Sequence, residues 1–142
     1  MSKVIRLGYL EDNGLDQKGK PTRLPKPLIP ITIQFKHSRF LNTYALVDSG
    51  ADYNLFPGGI SSYLGLPRKG IEVPIRGIGS RTPIMAQRYF DVKILLGDIS
   101  IDTYADFSWE QDVFLLGQNG FFDKFRQITF DRNNEKLEFV TF

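Results

Sequence analysis

The sequence contains no cysteine and a single histidine, His37. Without thiols there are no disulfides, no thiolate metal sites and no cysteine nucleophile. This lack fits a reducing compartment, and a cytoplasmic location is expected. His37 stands among Lys36, Ser38 and Arg39 and reads as a surface residue. Neither a Ser-His-Asp triad nor a histidine metal site is therefore expected, and no cofactor is implied. Long apolar runs are also missing. None approaches the length that a bilayer-spanning helix needs, and residues 1–7 lack the apolar stretch of a secretory signal. Neither charge sign dominates: 18 Lys and Arg against 16 Asp and Glu leave a net charge of +2. The densest basic patch, Lys18, Lys20, Arg23 and Lys26, reads as a solvated loop. A nucleic-acid-binding barrel would rest on that patch and on surface aromatics alone. Neither nucleic acid nor a membrane is expected as a partner.

What the chain has is aromatic and β-branched residues in short alternating runs. The 12 Phe and 6 Tyr favour strands. Residues 4–9 alternate as a first strand, and residues 28–35 as a half-buried one around Pro30. Between them, residues 11–27 carry Gly14, Gly19, Pro21, Pro25 and Pro27 and read as a long exposed loop. Further strands are expected at residues 44–47, 71–75, 83–96, 99–107, 113–116, 127–130 and 136–142. Residues 44–47 read as buried, and the last strand as an interface or barrel-edge strand. Short helices are expected at residues 58–64 and 120–125. Trp109 is expected to pack rather than act chemically. About nine strands and two short helices make an all-β, closed barrel-like domain. It spans residues 1–142, with an N-terminal strand and extended polar loop to residue 27 and a core from residue 28.

The stretch Tyr44-Ala45-Leu46-Val47-Asp48-Ser49-Gly50-Ala51-Asp52 carries the chemistry. An apolar strand ends abruptly in a carboxylate. Asp48 is held rigidly yet faces away from the core, as a positioned acid or base requires. Gly50 permits a tight turn and leaves room beside the acid. Asp-Ser-Gly is also ordinary turn chemistry, so the flanks matter: an apolar approach and a Leu55-Phe56-Pro57 exit are unlike a hairpin tip. Two more glycine motifs follow. Gly77-Ile78-Gly79 reads as a hairpin tip with one apolar side chain, and it lacks the third glycine and helix of a phosphate loop. Leu115-Leu116-Gly117 reads as a short buried strand closed by glycine.

In their order and spacing these three motifs resemble the retropepsin-like, retroviral-type aspartic peptidases, from about residue 28 to the end of the sequence. The resemblance implies an aspartic endopeptidase in which Asp48, Ser49 and Gly50 form the catalytic loop. Ala51 and Asp52 would bind a polypeptide substrate. Gly77, Ile78 and Gly79 would form a flap closing over it, and Gly117 would pass close beside the catalytic loop. The mechanism needs two acids, and the chain has one Asp-Ser-Gly. Among its other ten aspartates Asp102-Thr103 comes nearest, but Tyr104 follows it. The resemblance therefore implies a homodimer contributing one Asp48 from each subunit. One departure stands out: where retroviral enzymes carry Arg after the glycine, this chain has Gln118, which cannot form an ion pair with Asp52. That departure, with the long N-terminal segment, motivates the alternative of a weak or inactive binding or dimerisation module on the same fold.

Overall fold

The computed structural model describes residues 1–77 and 81–142. Its strands, in chain order, are β1 (Val4–Gly8), β2 (Leu10–Leu15), β3 (Pro21–Lys26), β4 (Leu28–Phe35), β5 (Leu41–Val47), β6 (Leu55–Pro57), β7 (Ile71–Ile75), β8 (Ile84–Leu96), β9 (Ile99–Ser108), β10 (Leu115–Leu116), β11 (Gln127–Asp131) and β12 (Lys136–Val140). One short helix, α1 (Ser61–Leu64), follows a 3-10 turn at Gly58–Ile60, and a second 3-10 turn covers Phe122–Lys124.

Six strands close a barrel. Their order is β4-β5-β10-β6-β9-β8, and β8 pairs back onto β4 from Thr32↔Leu95 to Phe35↔Val92. Closure leaves no free edge among these six. β7 is a seventh strand attached to β8. Alternation explains the lining. On β4, Ile29, Ile31, Ile33 and Phe35 are buried while Pro30 faces water and Thr32 and Gln34 are half-buried. On β9, Ile101, Thr103, Ala105 and Phe107 point inward. A chain of edge-to-face aromatics, Phe35–Tyr89–Phe107–Phe56, fills one part of the interior with centroids 5.5–6.2 Å apart. A second aromatic group, Phe121, Phe125 and Phe139, joins the barrel to the sheet β1-β12-β11.

Several expectations are corrected. Residues 11–27 are not a loop: β2 and β3 pair antiparallel from Leu10↔Lys26 to Leu15↔Pro21. The final strand is neither a barrel-edge strand nor free, because β12 lies between β1 and β11 and is paired on both sides. The strand at 44–47 is buried on one face alone: Ala45 and Val47 are interior, but Tyr44 is 61% exposed. The strand at 113–116 shrinks to Leu115–Leu116, with Val113 in solvent, and Trp109 is 80% exposed. Among the described residues the count rises from nine strands to twelve, because the β2–β3 hairpin and the three-residue β6 were invisible to periodicity. Among the described residues no helix is long and apolar enough to cross a membrane.

Candidate active site

Asp48 follows the last residue of β5, and the barrel fixes it from both sides. β10 is inserted between β5 and β6, running parallel to the first and antiparallel to the second. The Asp48 N–H donates to Leu116 O at 3.0 Å, and Val47 N–H donates to Pro27 O at 2.9 Å. The chain then turns sharply. Gly50 N–H donates to Asp48 Oδ1 at 2.9 Å and Ala51 N–H to the Asp48 carbonyl at 3.1 Å. One carboxylate oxygen is thus oriented by a backbone amide. A β-carbon at position 50 would press within 3.3 Å of that same oxygen.

The turn after Gly117 clamps the loop. Gln118 N–H donates to Ala51 O at 2.9 Å and Asn119 N–H to Asp52 O at 2.8 Å. Both side chains add to this: Gln118 Nε2 donates to Ser49 O, and Asn119 Nδ2 to Asp52 O, each at 2.9 Å. Gly117 itself lies against the Tyr53 backbone, where a β-carbon would come within 2.7 Å of the Tyr53 nitrogen. Glycine is required there by close approach. Gln118, a departure at the sequence level, therefore holds the loop through the Ser49 carbonyl rather than through Asp52.

Two further braces were missed by sequence reasoning. Asn54 is fully buried; its Oδ1 accepts from Gly117 N–H at 3.1 Å, and its Nδ2 donates to Tyr104 O at 3.0 Å. It ties the loop, β10 and β9 together with every polar atom used. Arg88 on β8 makes a bidentate pair with Asp106 on β9, at 2.7 and 3.0 Å. Asp106 is fully buried, and the Arg88 side chain is 20% exposed. The guanidinium lies between the rings of Tyr53 and Tyr104, 4.6 and 5.0 Å from their centroids. The hydrogen bonds to Asp106 push the Arg88 pKa up. The signal for Asn54 was its place two residues after Asp52, but burial could not be read from that. For Arg88 and Asp106 there was none without the β8–β9 register.

A groove of about 340 Å³ opens above the loop. Asp48, Gly50, Ala51 and Asp52 line one wall, while Ile75, Arg76, Gly77 and Ile84 line the other. The second wall is the root of the β7–β8 hairpin, whose last pair is Ile75↔Ile84 and whose arms are linked by Arg76 Nη1 donating to Arg81 O at 3.3 Å. Five of the eight predicted site residues thus meet at one groove. Ser49 sits on the exposed side of the loop and is not part of the lining. Ile78 and Gly79 lie outside the described residues. Among the described residues, the Ser49 hydroxyl and the Asp52 carboxylate have no hydrogen-bond partner, and no group of three or more His, Asp or Glu could hold a metal. Comparison of the chain with protein-family models and with curated proteins finds no match.

Proposed function

We propose that the chain is an aspartic endopeptidase of the retropepsin-like type, acting as a homodimer. The observation that carries this reading is the support of Asp48: a strand-end carboxylate oriented by the Gly50 amide, buttressed by the inserted Leu115-Leu116-Gly117 strand, and opening into a groove beneath a β-hairpin. Such a carboxylate is pre-positioned as a general base. By itself it does half of the chemistry. It takes a proton from water but has none to give the scissile carbonyl. Two such groups in contact retain one proton between them, because both do not ionise readily; this is the general behaviour of aspartic peptidases.

The second group comes from a second copy of the loop. The unused Ser49 hydroxyl and Asp52 carboxylate are consistent with a site completed at a two-fold contact. In the dimer the two Asp48 carboxylates hold the attacking water, one accepting its proton while the other protonates the carbonyl oxygen. The β7–β8 hairpin excludes bulk water, and the substrate lies extended across Ala51 and Asp52.

Asp48→Asn tests the reading. Peptide cleavage should fall by at least about 10³-fold, as when one member of a cooperating catalytic unit is removed, with the denaturation midpoint and the dimer unchanged. Undiminished cleavage would sink it. The pH profile of the wild type should be bell-shaped, both limbs belonging to the pair. The alternative, a binding or dimerisation module without activity, is favoured by the uncompensated Asp52 carboxylate opposite Gln118. It predicts no cleavage of a broad peptide library at any pH, and no inhibition by a transition-state analogue.

A further inference from the structure

The β2–β3 hairpin stands apart from everything the proposed chemistry uses. None of its residues belongs to the hydrophobic core or packs against it among the described residues. It forms a two-stranded sheet of its own. Isolated two-stranded hairpins are marginal in water, and a third strand or a packed face is normally needed. Its base is nevertheless fixed at a telling place. Lys26 ends β3 one residue before Pro27, whose carbonyl accepts from Val47 N–H, the residue preceding Asp48. β4 begins at Leu28 opposite Leu46, so the hairpin leaves the barrel at the end that carries the Asp48 loop.

Its surface is not that of an inert loop. Leu15 is 62% exposed and Leu10 37%. Asp16 is consumed locally, accepting from the Lys18 and Lys20 amides at 2.9 Å each. Arg23 is turned inward along the hairpin, to Asn13 Oδ1 and Glu11 O. The ammonium groups of Lys18 and Lys20 therefore stand at the tip without a partner among the described residues. The candidate site offers unpaired charge of the opposite sign. Asp52 lines the groove, exposed and without a side-chain partner; Asp112, also exposed and without one, follows Gln111 of the lining; and Arg76, the cation among the lining residues, is turned to the Arg81 carbonyl.

We propose that this hairpin is a dimerisation arm that packs on the Asp48 end of a second copy of the chain, its Lys18 and Lys20 against Asp52 and Asp112 and its Leu15 against the neighbouring barrel. The inference rests on the homodimer reading. That reading brings two Asp48 ends together, so an arm rooted beside one Asp48 reaches the other subunit. Charge complementarity selects a second copy over an apolar ligand, and it makes association salt-dependent.

Two variants test it. In the first, residues 13–23 are replaced by Asn-Gly, which closes the hairpin after its three base pairs, Leu10↔Lys26 to Asp12↔Leu24, with a two-residue turn. In the second, Lys18→Glu and Lys20→Glu leave the hairpin's own bonds intact. Sedimentation equilibrium should show the dimer dissociation constant rising by about tenfold or more in each. Asp112→Lys should recover part of the loss in the charge-reversed variant alone. Cleavage per dimer at saturating protein should stay at the wild-type rate. An unchanged dissociation constant in both variants, with a wild-type dimer present, overturns the arm and leaves the dimer reading standing. A wild type that stays monomeric at every concentration overturns both. A raised KM with an unchanged dissociation constant would assign the hairpin to substrate and also overturn the proposal.

Discussion

Two parts of this molecule use the same kind of chemistry to opposite effect. The braces of the Asp48 loop are desolvated and fully committed: Asn54 bonds to two backbones, and Arg88 to a carboxylate with no solvent exposure. In the β2–β3 hairpin, an ion pair of similar length, Lys26 to Asp12 at 3.3 Å, lies on the surface with side-chain exposures of 35% and 47%. The first pair is desolvated, so neither member tolerates loss of the other. The second exchanges its bonds with water at little cost. Desolvated bonding is thus concentrated around the Asp48 loop, and the hairpin rooted beside it is bonded at the surface.

The largest expected effect follows from that contrast. Asp106→Ala leaves the Arg88 cation without its partner under Tyr53 and Tyr104 and should destabilise the fold by about 3 kcal/mol, at the low end for a broken buried pair because Arg88 keeps some exposure. Replacing both, as Arg88→Met with Asp106→Leu, should cost less than either single change. Denaturant midpoints at neutral pH measure it. A double variant less stable than both singles would show that the pair is net stabilising, and the contrast with the hairpin would then rest on more than unpaired charge.

That pair also marks the limit of what the sequence conveys. In the sequence Asp106 alternates with Ser100, Asp102 and Tyr104 against the apolar face of β9, yet it is fully buried. Its burial depends on a register in which Arg88 stands opposite it, and on a bulge between Tyr89 and Val92 that shifts every later pair. Periodicity counts faces and cannot count register across a bulge. The strands β4, β8 and β9 were legible because each has one face in the core, and β7 by the alternation of Ile71, Val73 and Ile75 alone. The hairpin at residues 10–26 was not, because Pro21, Pro25, Gly14 and Gly19 are signals for loops. Pro21 and Pro25 lie four residues apart, so their nitrogens face the same side. That side is the unpaired edge, where a missing N–H costs nothing. The Asp48 loop was legible as a motif, and so was its glycine neighbour. Its clamps by Asn54, Gln118 and Asn119 depend on strands brought together from more than sixty residues away.

An intermediate effect is expected at Gln118. Gln118→Ala removes the donor to Ser49 O while keeping the backbone bond to Ala51. The lost bond is solvent-accessible, so stability should fall by only about 1 kcal/mol. Cleavage should fall more, by about tenfold in kcat with KM little changed, because the loop that aims Asp48 gains freedom. A change confined to KM would separate Gln118 from the aiming of the acid and ally it with substrate binding instead.

The smallest effect belongs to the hairpin. The Asp12 carboxyl is held below its ordinary value of 3.8, chiefly by the Asn13 amide and then by Lys26. A depressed carboxyl stabilises the folded form above its unfolded value, and that contribution is lost as the pH falls through the folded one. Asp12→Asn should therefore leave the global denaturation midpoint unmoved at neutral pH. It should also flatten whatever acid dependence the hairpin amides show in hydrogen exchange, because the residue no longer titrates. The barrel amides, bonded around a closed ring of strands, should exchange as before. If Asp12→Asn lowered the global midpoint as far as Asp106→Ala, the hairpin would be coupled to the core as tightly as the loop brace, and the division between desolvated braces and a surface-bonded hairpin would fail.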